Sequence, residues 1–288
     1  MKLQNKTAII TGASMGLGLK IAEEFVNEGA NVAITARSQG PLDEAIDKIK
    51  LRATNGQKIW AFAADVSSEH EMQEVFSKTV SESGELNILV NNAGIYGPKG
   101  SIDKINLKDF RNAMEINLMG TLICMRFAVD YFKKAGSGKI INLSGGGATK
   151  PLPNLSSYAA SKAAVIRLTE TVAREFEHER IDVNAIAPGA LNTRLLDEIL
   201  EAGPDKVGEQ FYSQALKQKE KGGSPLQPGA DLAVYLASEQ SNGISGLLIS
   251  AIWDNWQTLH ERKDQVMSSD VYTLRRIIDK ERGFNWDK

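Results

Sequence analysis

Cysteine is almost missing from this chain. Cys124 is the only one in 288 residues, which excludes an intramolecular disulfide and a thiolate metal cluster and fits a reducing compartment. Histidine is scarce as well, with three; His178 and His260 stand among charged residues and receive no role, and no metal site is expected. Long apolar runs are lacking. None approaches the roughly 20 residues that cross a bilayer, and the apolar stretch of the opening MKLQNKTAIITG is too short for the core of a signal peptide. Charge of one sign is lacking too: a net charge of -2 gives no electrostatic footprint for nucleic acid or an anionic membrane. With no internal repeat and no low-complexity linker, the expectation is a soluble cytoplasmic protein with one main domain.

What is present is alternation. Short apolar runs at Thr7–Ile10, Asn31–Thr35, Ile59–Phe62, Leu86–Val90, Ile140–Leu143, Ile181–Ile186 and Ile244–Ser250 read as buried strands, and helical patterns fall between them. The intervening helices include 42–52, 69–81 and a long stretch over 107–134 that breaks near Asn117 and Gly120. Strands alternating with helices predict an α/β fold with a parallel sheet covered on both faces, ligands binding at the carboxyl ends of the strands.

The first strand runs into Thr11-Gly12-Ala13-Ser14-Met15-Gly16-Leu17-Gly18 and then into an amphipathic helix with Leu19, Ala22, Phe25 and Val26. Strand, glycine loop and helix make an anion site: the glycines let the backbone approach a pyrophosphate, and the helix start supplies free N–H groups and a positive dipole end. The second strand ends at Ala36-Arg37-Ser38. An acidic residue there would bond the 2′-hydroxyl of an adenosine ribose; Arg37 instead suits a 2′-phosphate through charge-assisted bonds, so NADP is expected in preference to NAD.

The organising stretch is Lys139 to Lys162, KIINLSGGGATKPLPNLSSYAASK. An apolar strand leads into Ser144 and three glycines, then a proline-bearing loop, then a helix with Tyr158 and Lys162. A separation of four puts phenol and ammonium on one helix face. A free tyrosine, with a pKa of about 10, is a poor base near neutrality. A neighbouring ammonium stabilises its phenolate, and a phenol tuned in this way can give a proton to a carbonyl or take one from an alcohol.

With Thr11 to Gly18, Asn91-Asn92-Ala93-Gly94, Tyr158 to Lys162 and Pro188-Gly189 in this order, the chain resembles the short-chain dehydrogenase/reductase family over roughly residues 3 to 250. The resemblance implies a Rossmann-type, doubly wound single domain and an NAD(P)-dependent carbonyl/alcohol oxidoreductase. It implies a homodimer or homotetramer built on helices near 107–134 and 155–177. Tyr158 matches the catalytic acid/base, Lys162 the lysine that lowers its pKa and bonds the nicotinamide ribose, and Asn117 the asparagine that holds a relay water. Gly12, Ser14, Met15, Gly16, Leu17 and Gly18 match the pyrophosphate loop; Asp65 and Val66 the residues beside adenine; Asn92, Ala93 and Gly94 the turn beneath the cofactor. Pro188, Gly189 and Thr193 match the nicotinamide end. Asn92 and Asn117 have a bland alternative, bracing the backbone, and Asp65 another, ending a strand or capping a helix.

Two departures stand out. The family places a substrate-bonding serine thirteen residues before the tyrosine; here that position is Gly145, with Ser144 one place early. Either Ser144 takes over the role or it is structural, with Asn142, Thr149 and Ser156 as other candidates. The second is the tail. Residues 1–252 form the expected domain, and 253–288 an extension carrying Trp253, Trp256, Trp286 and a helical pattern over Val271 to Lys280. It is expected to dock on the domain or a neighbouring subunit, most simply over an exposed sheet edge. Between Leu191 and Gly223 an amphipathic lid is expected, mildly favouring a polar substrate such as a sugar, a polyol or an oxo-acyl compound. The rival readings are a nucleotide-binding sensor or assembly subunit without catalysis, and an epimerase or dehydratase that uses the cofactor transiently.

Overall fold

The first strand, β1 (Thr7–Thr11), is buried along its whole length, as a strand covered on both faces must be, and its unbroken TAIIT run follows from that burial. The computed structural model describes residues 1–54 and 56–286. Six more strands join it: β2 (Asn31–Ala36), β3 (Ile59–Ala63), β4 (Ile88–Asn91), β5 (Gly138–Leu143), β6 (Ile181–Ala187) and β7 (Leu248–Ser250). They form one seven-stranded sheet in the order β3-β2-β1-β4-β5-β6-β7, every pairing parallel. The order reverses between β1 and β4. There the connections leave to opposite sides and open a crevice beyond the carboxyl ends of the strands.

Helices cover both faces. On one lie α1 (Gly16–Asn27), α2 (Gln39–Lys50) and α10 (Gln227–Ala237), whose Ile21, Phe25, Leu42 and Leu232 share a core with Ile10 and Ile34 of the sheet. On the other lie α3 (Glu69–Ser83), α5 (Gly120–Ala135) and α6 (Ser156–Glu175), with Phe76, Met125, Phe132 and Val172 packed on Ile9, Leu89 and Ile140. Cys124 is fully buried in this second core, and burial pushes its thiol up to about 12; it is inert packing. Local sequence sets the ends: Ser68 accepts from the N–H of Glu71 at the start of α3, and Gly84 closes that helix in the left-handed region.

The expected break in the long helix is a single π turn, Glu115–Met119, between α4 (Leu107–Met114) and α5. Asn117 sits within it, the kind of local widening that often marks a functional position. The lid is three helices, α7 (Arg194–Ala202), α8 (Pro204–Val207) and α9 (Glu209–Lys221). A lone bridge between Leu191 and Ser224 ties the two ends of this excursion together.

Two sequence expectations change here. The last strand is shorter than the apolar run. Gly246 takes φ +83° and the Ser245 hydroxyl accepts from the N–H of Val183, so the chain turns before it pairs. The Val271 to Lys280 pattern is not a helix. The only α-helix of the tail among the described residues is α11 (Lys263–Met267), and a 3₁₀ turn follows at Asp279–Arg282. At Tyr272 and Leu274 its backbone bonds go to the domain instead. The N–H of Leu248, on the outermost strand, donates to Tyr272 O at 2.8 Å. Leu274 N–H donates to Glu170 Oε1 at 2.6 Å, and the Arg167 guanidinium donates to Leu274 O. Trp256 anchors the strap: it is 7% exposed, its ring lies 5.6 Å from that of Tyr235, and its Nε1–H donates to Ala251 O.

Candidate active site

The crevice at the β1/β4 reversal holds one continuous cleft of about 1000 Å³. It runs from Arg37 and Asp65 past the glycine loop to Tyr158 and Lys162 under the lid. Gly12 and Gly16 both adopt positive φ (+62° and +59°). A Cβ on Gly12 would stand 2.7 Å from Ala93 Cα, and one on Gly18 would stand 2.4 Å from Asn92 Nδ2, so no side chain fits where the loop meets the end of β4. The loop is braced from that side. Asn92 Nδ2 donates to Thr11 O and Gly12 O, and Thr11 Oγ1 accepts from the N–H groups of Asn92 and Ala93. The open loop, the start of α1 behind it and a cleft of this length fit a dinucleotide.

Most residues anticipated from sequence meet here. Ser14, Met15, Leu17, Arg37, Asp65, Val66, Asn92, Ala93, Gly94, Pro188, Gly189 and Thr193 line the cleft with Gly12, Gly16, Ser144, Tyr158 and Lys162. Gly18 and Asn117 do not; they work beneath the surface. Arg37 is exposed at the end of β2. Asp65 accepts from both the backbone N–H and the hydroxyl of Ser67, so one carboxylate oxygen shapes the turn after β3.

At the other end α6 carries Tyr158 and Lys162, 6% and 5% exposed. Lys162 Nζ donates to Leu143 O at 2.7 Å and stands 5.8 Å from the centre of the Tyr158 ring. Burial pulls the Lys162 ammonium down to about 8. The Tyr158 phenol is raised, first by burial and then by Tyr96. The expected lowering of Tyr158 by Lys162 is therefore not a property of these side chains alone: the ammonium is engaged with a carbonyl, and desolvation dominates.

Asn117, fully buried, clamps the turn after β4. Its Oδ1 accepts from Ile95 N–H at 2.8 Å, while its Nδ2 donates to Ile95 O and to Ser161 Oγ, each at 2.9 Å. Its own carbonyl accepts from Thr121 Oγ1. Of the hydroxyl and amide candidates near Gly145, Ser144 and Thr149 line the cleft. Asn142 is fully buried and spent on Asn91 and Thr169, and Ser156 Oγ is buried without a partner among the described residues.

Gly145 itself is occupied space: a Cβ there would lie 2.0 Å from the Tyr158 hydroxyl. The lid completes the chamber. Tyr158 packs with Leu155, Leu196, Ile199 and Val207, and Tyr96, Leu152 and Phe211 join the same cluster. Thr149, Lys150, Asn192, Gln214 and Trp253 bring polar and aromatic groups to the cleft. Sequence alone gives Tyr96 no role. The one signal in sequence is an aromatic two places after the glycine that ends the β4 turn.

The comparisons with known proteins agree with this geometry. The model described as "short chain dehydrogenase" matches residues 6–203. Glucose 1-dehydrogenase 2 of Bacillus subtilis is 32% identical over 248 residues, covering 85% of this chain and 92% of its own. The 3-oxoacyl-[acyl-carrier-protein] reductase of Staphylococcus epidermidis is 31% identical over 246 residues (85% and 96%), and the 7alpha-hydroxysteroid dehydrogenase of Escherichia coli K12 is 30% identical over 260 residues (90% and 98%). Among solved structures, levodione reductase superposes with a TM-score of 0.78 at 25% identity, over 89% of this chain and 98% of its own. A parallel seven-stranded sheet, a glycine loop at its reversal point and a match over most of the chain lead to one conclusion: the chain belongs to the short-chain dehydrogenase/reductase family of oxidoreductases.

Proposed function

We propose that this enzyme transfers a hydride between nicotinamide C4 and a carbonyl or secondary alcohol, with NADP preferred over NAD. The observation that carries the reading is the burial of Tyr158 and Lys162 in the same cleft as the glycine loop. A bound reduced nicotinamide supplies the hydride that the carbonyl carbon receives. The chain's part is to bind, orient and move a proton. Tyr158 gives its phenolic proton to the carbonyl oxygen as the C–H bond forms, and takes it back from the alcohol in the other direction. The phenol is protonated at neutral pH with its ordinary pKa of about 10, and burial raises it further, which suits donation. Lys162 steadies the phenolate left behind, and Asn117 holds the β4 turn that faces them. Pro188, Gly189 and Thr193 bound the nicotinamide end. Thr193 sits close to Gly16, about where a methyl on that glycine would touch it.

For the cofactor, an exposed arginine at the end of β2 with no carboxylate beside it in sequence supports a 2′-phosphate contact. Arg37→Ala is expected to weaken NADPH binding tenfold to a hundredfold, about 1.5–3 kcal/mol, and to leave NADH binding nearly unchanged. Titration by quenching of tryptophan fluorescence reads both. An unaltered NADPH affinity removes Arg37 from the site.

Ser144 enters the proposal as a hydroxyl reaching the reacting oxygen from the floor beside Gly145. It is 5% exposed, lines the cleft, and has its own N–H tied to Ile186 O. Ser144→Ala should then cut turnover by roughly tenfold or more; full turnover makes the serine structural.

The substrate proposed is polar at one end, of the sugar, polyol or oxo-acyl type. The chamber nearest Tyr158 is apolar, while Thr149, Lys150, Asn192 and Gln214 offer polar groups elsewhere in the cleft. The relatives' names span glucose, a 3-oxoacyl-[acyl-carrier-protein] and a hydroxysteroid, so they do not choose between these. Residues 1–252 are proposed as the catalytic domain and 253–288 as an extension strapped to its β7 edge. A cytoplasmic homodimer or homotetramer through the faces of α4 to α6 is proposed as the working form. A transient-cofactor epimerase is separated from this reading by stoichiometry: hydride transfer consumes one reduced cofactor per turnover.

A further inference from the structure

Gly145 leaves a gap in the chemistry rather than in space. The position that would carry a serine has no side chain, and the Tyr158 hydroxyl fills its room. A second phenol stands beside the first. The Tyr96 ring lies edge-on to Tyr158 with centroids 4.6 Å apart, and it lines the same cleft. Neither hydroxyl has a hydrogen-bond partner among the described residues.

The backbone beneath Tyr96 is held on three sides. Asn117 clamps both polar groups of Ile95, Ser157 Oγ donates to Tyr96 O at 3.1 Å, and Gly97 (φ +73°) packs where a Cβ would meet Ala113 at 2.6 Å. Tyr96 thus stands on a stretch of loop tied down by hydrogen bonds and close packing on either side of it. Burial, with Glu198 adding to it, pushes its phenol up to about 12, so it is a hydrogen-bond donor at working pH. Glu198 is already engaged, with Lys99 at 3.3 Å and Arg194 at 3.4 Å, and does not take that proton.

We propose that Tyr96 is a further catalytic residue, whose phenolic O–H donates a hydrogen bond to the substrate oxygen that Tyr158 protonates. The inference rests on the hydride-transfer reading above and deepens it. As hydride reaches the carbon, charge grows on the oxygen, which can then accept more than one hydrogen bond. A preorganised neutral donor in a dry chamber stabilises that charge without reorganising. Tyr96 keeps its proton throughout, and the proton transferred is that of Tyr158. Both phenols line one cleft with their rings in edge-on contact, so the glycine is compensated from outside its own loop.

The test is Tyr96→Phe, which keeps the ring and deletes only the hydroxyl, with Tyr96→Ala and Tyr158→Phe alongside. Reduction of 2,3-butanedione by NADPH is followed by loss of NADPH absorbance, and folding is checked by circular dichroism. The expected result for Tyr96→Phe is a fall in kcat of about 100-fold or more, with the KM for the diketone and the NADPH affinity changed by less than about threefold. A kcat within about twofold of the parent, whether or not Tyr96→Ala is impaired, overturns the proposal and leaves Tyr96 as packing. The two levels fail separately. If Tyr158→Phe is inactive and Tyr96→Phe is not, only the Tyr96 role falls; if Tyr158→Phe remains active, the acid/base reading itself falls.

Discussion

Tyr158→Phe is expected to lower turnover by about 10³-fold or more while the cofactor dissociation constant stays within about threefold. The variant loses one oxygen and keeps the ring. The ring is what packs against Tyr96, Leu196 and Ile199, so the chamber and the lid contact survive. The oxygen lies over Gly145 and makes no hydrogen bond within the chain among the described residues, so its loss orphans no partner and costs little stability. What disappears is the phenolic proton whose oxygen lies against Gly145. Lys162 cannot stand in. Its ammonium is held by Leu143 O, and a donor must come within hydrogen-bond reach of the oxygen it protonates. Steady-state turnover against a carbonyl panel, paired with a fluorescence titration of the cofactor, decides the matter. Equal loss in both measurements would point to a collapsed cleft, and retained turnover would remove Tyr158 from the chemistry.

The parts of the site that could be read from sequence are those whose chemistry is contiguous. The glycine loop, the Asn91 to Gly94 turn and the Tyr158/Lys162 pair each lie within one strand-loop-helix unit, so spacing alone places them, and the alternation of strands and helices delivers the sheet. The β4 turn reveals less about Tyr96. Its importance comes from a ring contact with a residue 62 positions on, which no local pattern encodes. The tail misleads for the opposite reason. Val271, Leu274, Ile277 and Ile278 fall at helical intervals, yet the outer edge of β7 and the pair Arg167 and Glu170 capture the backbone of Tyr272 and Leu274. An unpaired sheet edge is a strong competitor for backbone groups, and periodicity carries no information about it. The tuning of Tyr158 is a further case. Spacing puts phenol and ammonium on one helix face, but which of desolvation and charge prevails depends on where the ammonium points, and here it points at a carbonyl.

The family pattern would suggest that Gly145→Ser repairs the site; the geometry gives the opposite expectation, a loss of roughly 100-fold in kcat/KM. A Cβ at 145 would stand 2.0 Å from the Tyr158 hydroxyl, 2.8 Å from its Cζ and 3.1 Å from its Cε1. Either the loop or the tyrosine must move. The loop is held at its root, where Ser144 N–H donates to Ile186 O at 2.9 Å, and again where Ala148 N–H donates to Gly145 O at 3.2 Å. The tyrosine is flanked by Tyr96 on one side and by the lid residues Leu196 and Ile199 on another, so its displacement also disturbs the chamber. Misplacing a reacting group by about 1 Å is enough for a hundredfold loss. The added hydroxyl cannot compensate, because a donor helps only if the acid it assists is still in place. Kinetics of Gly145→Ser and Gly145→Ala against the parent separate the two ideas. If Ala and Ser are equally damaging, the Cβ is the cause, and the glycine is what allows this tyrosine to lie as it does. A serine variant that matches or exceeds the parent would mean the phenol stands elsewhere when substrate is turned over.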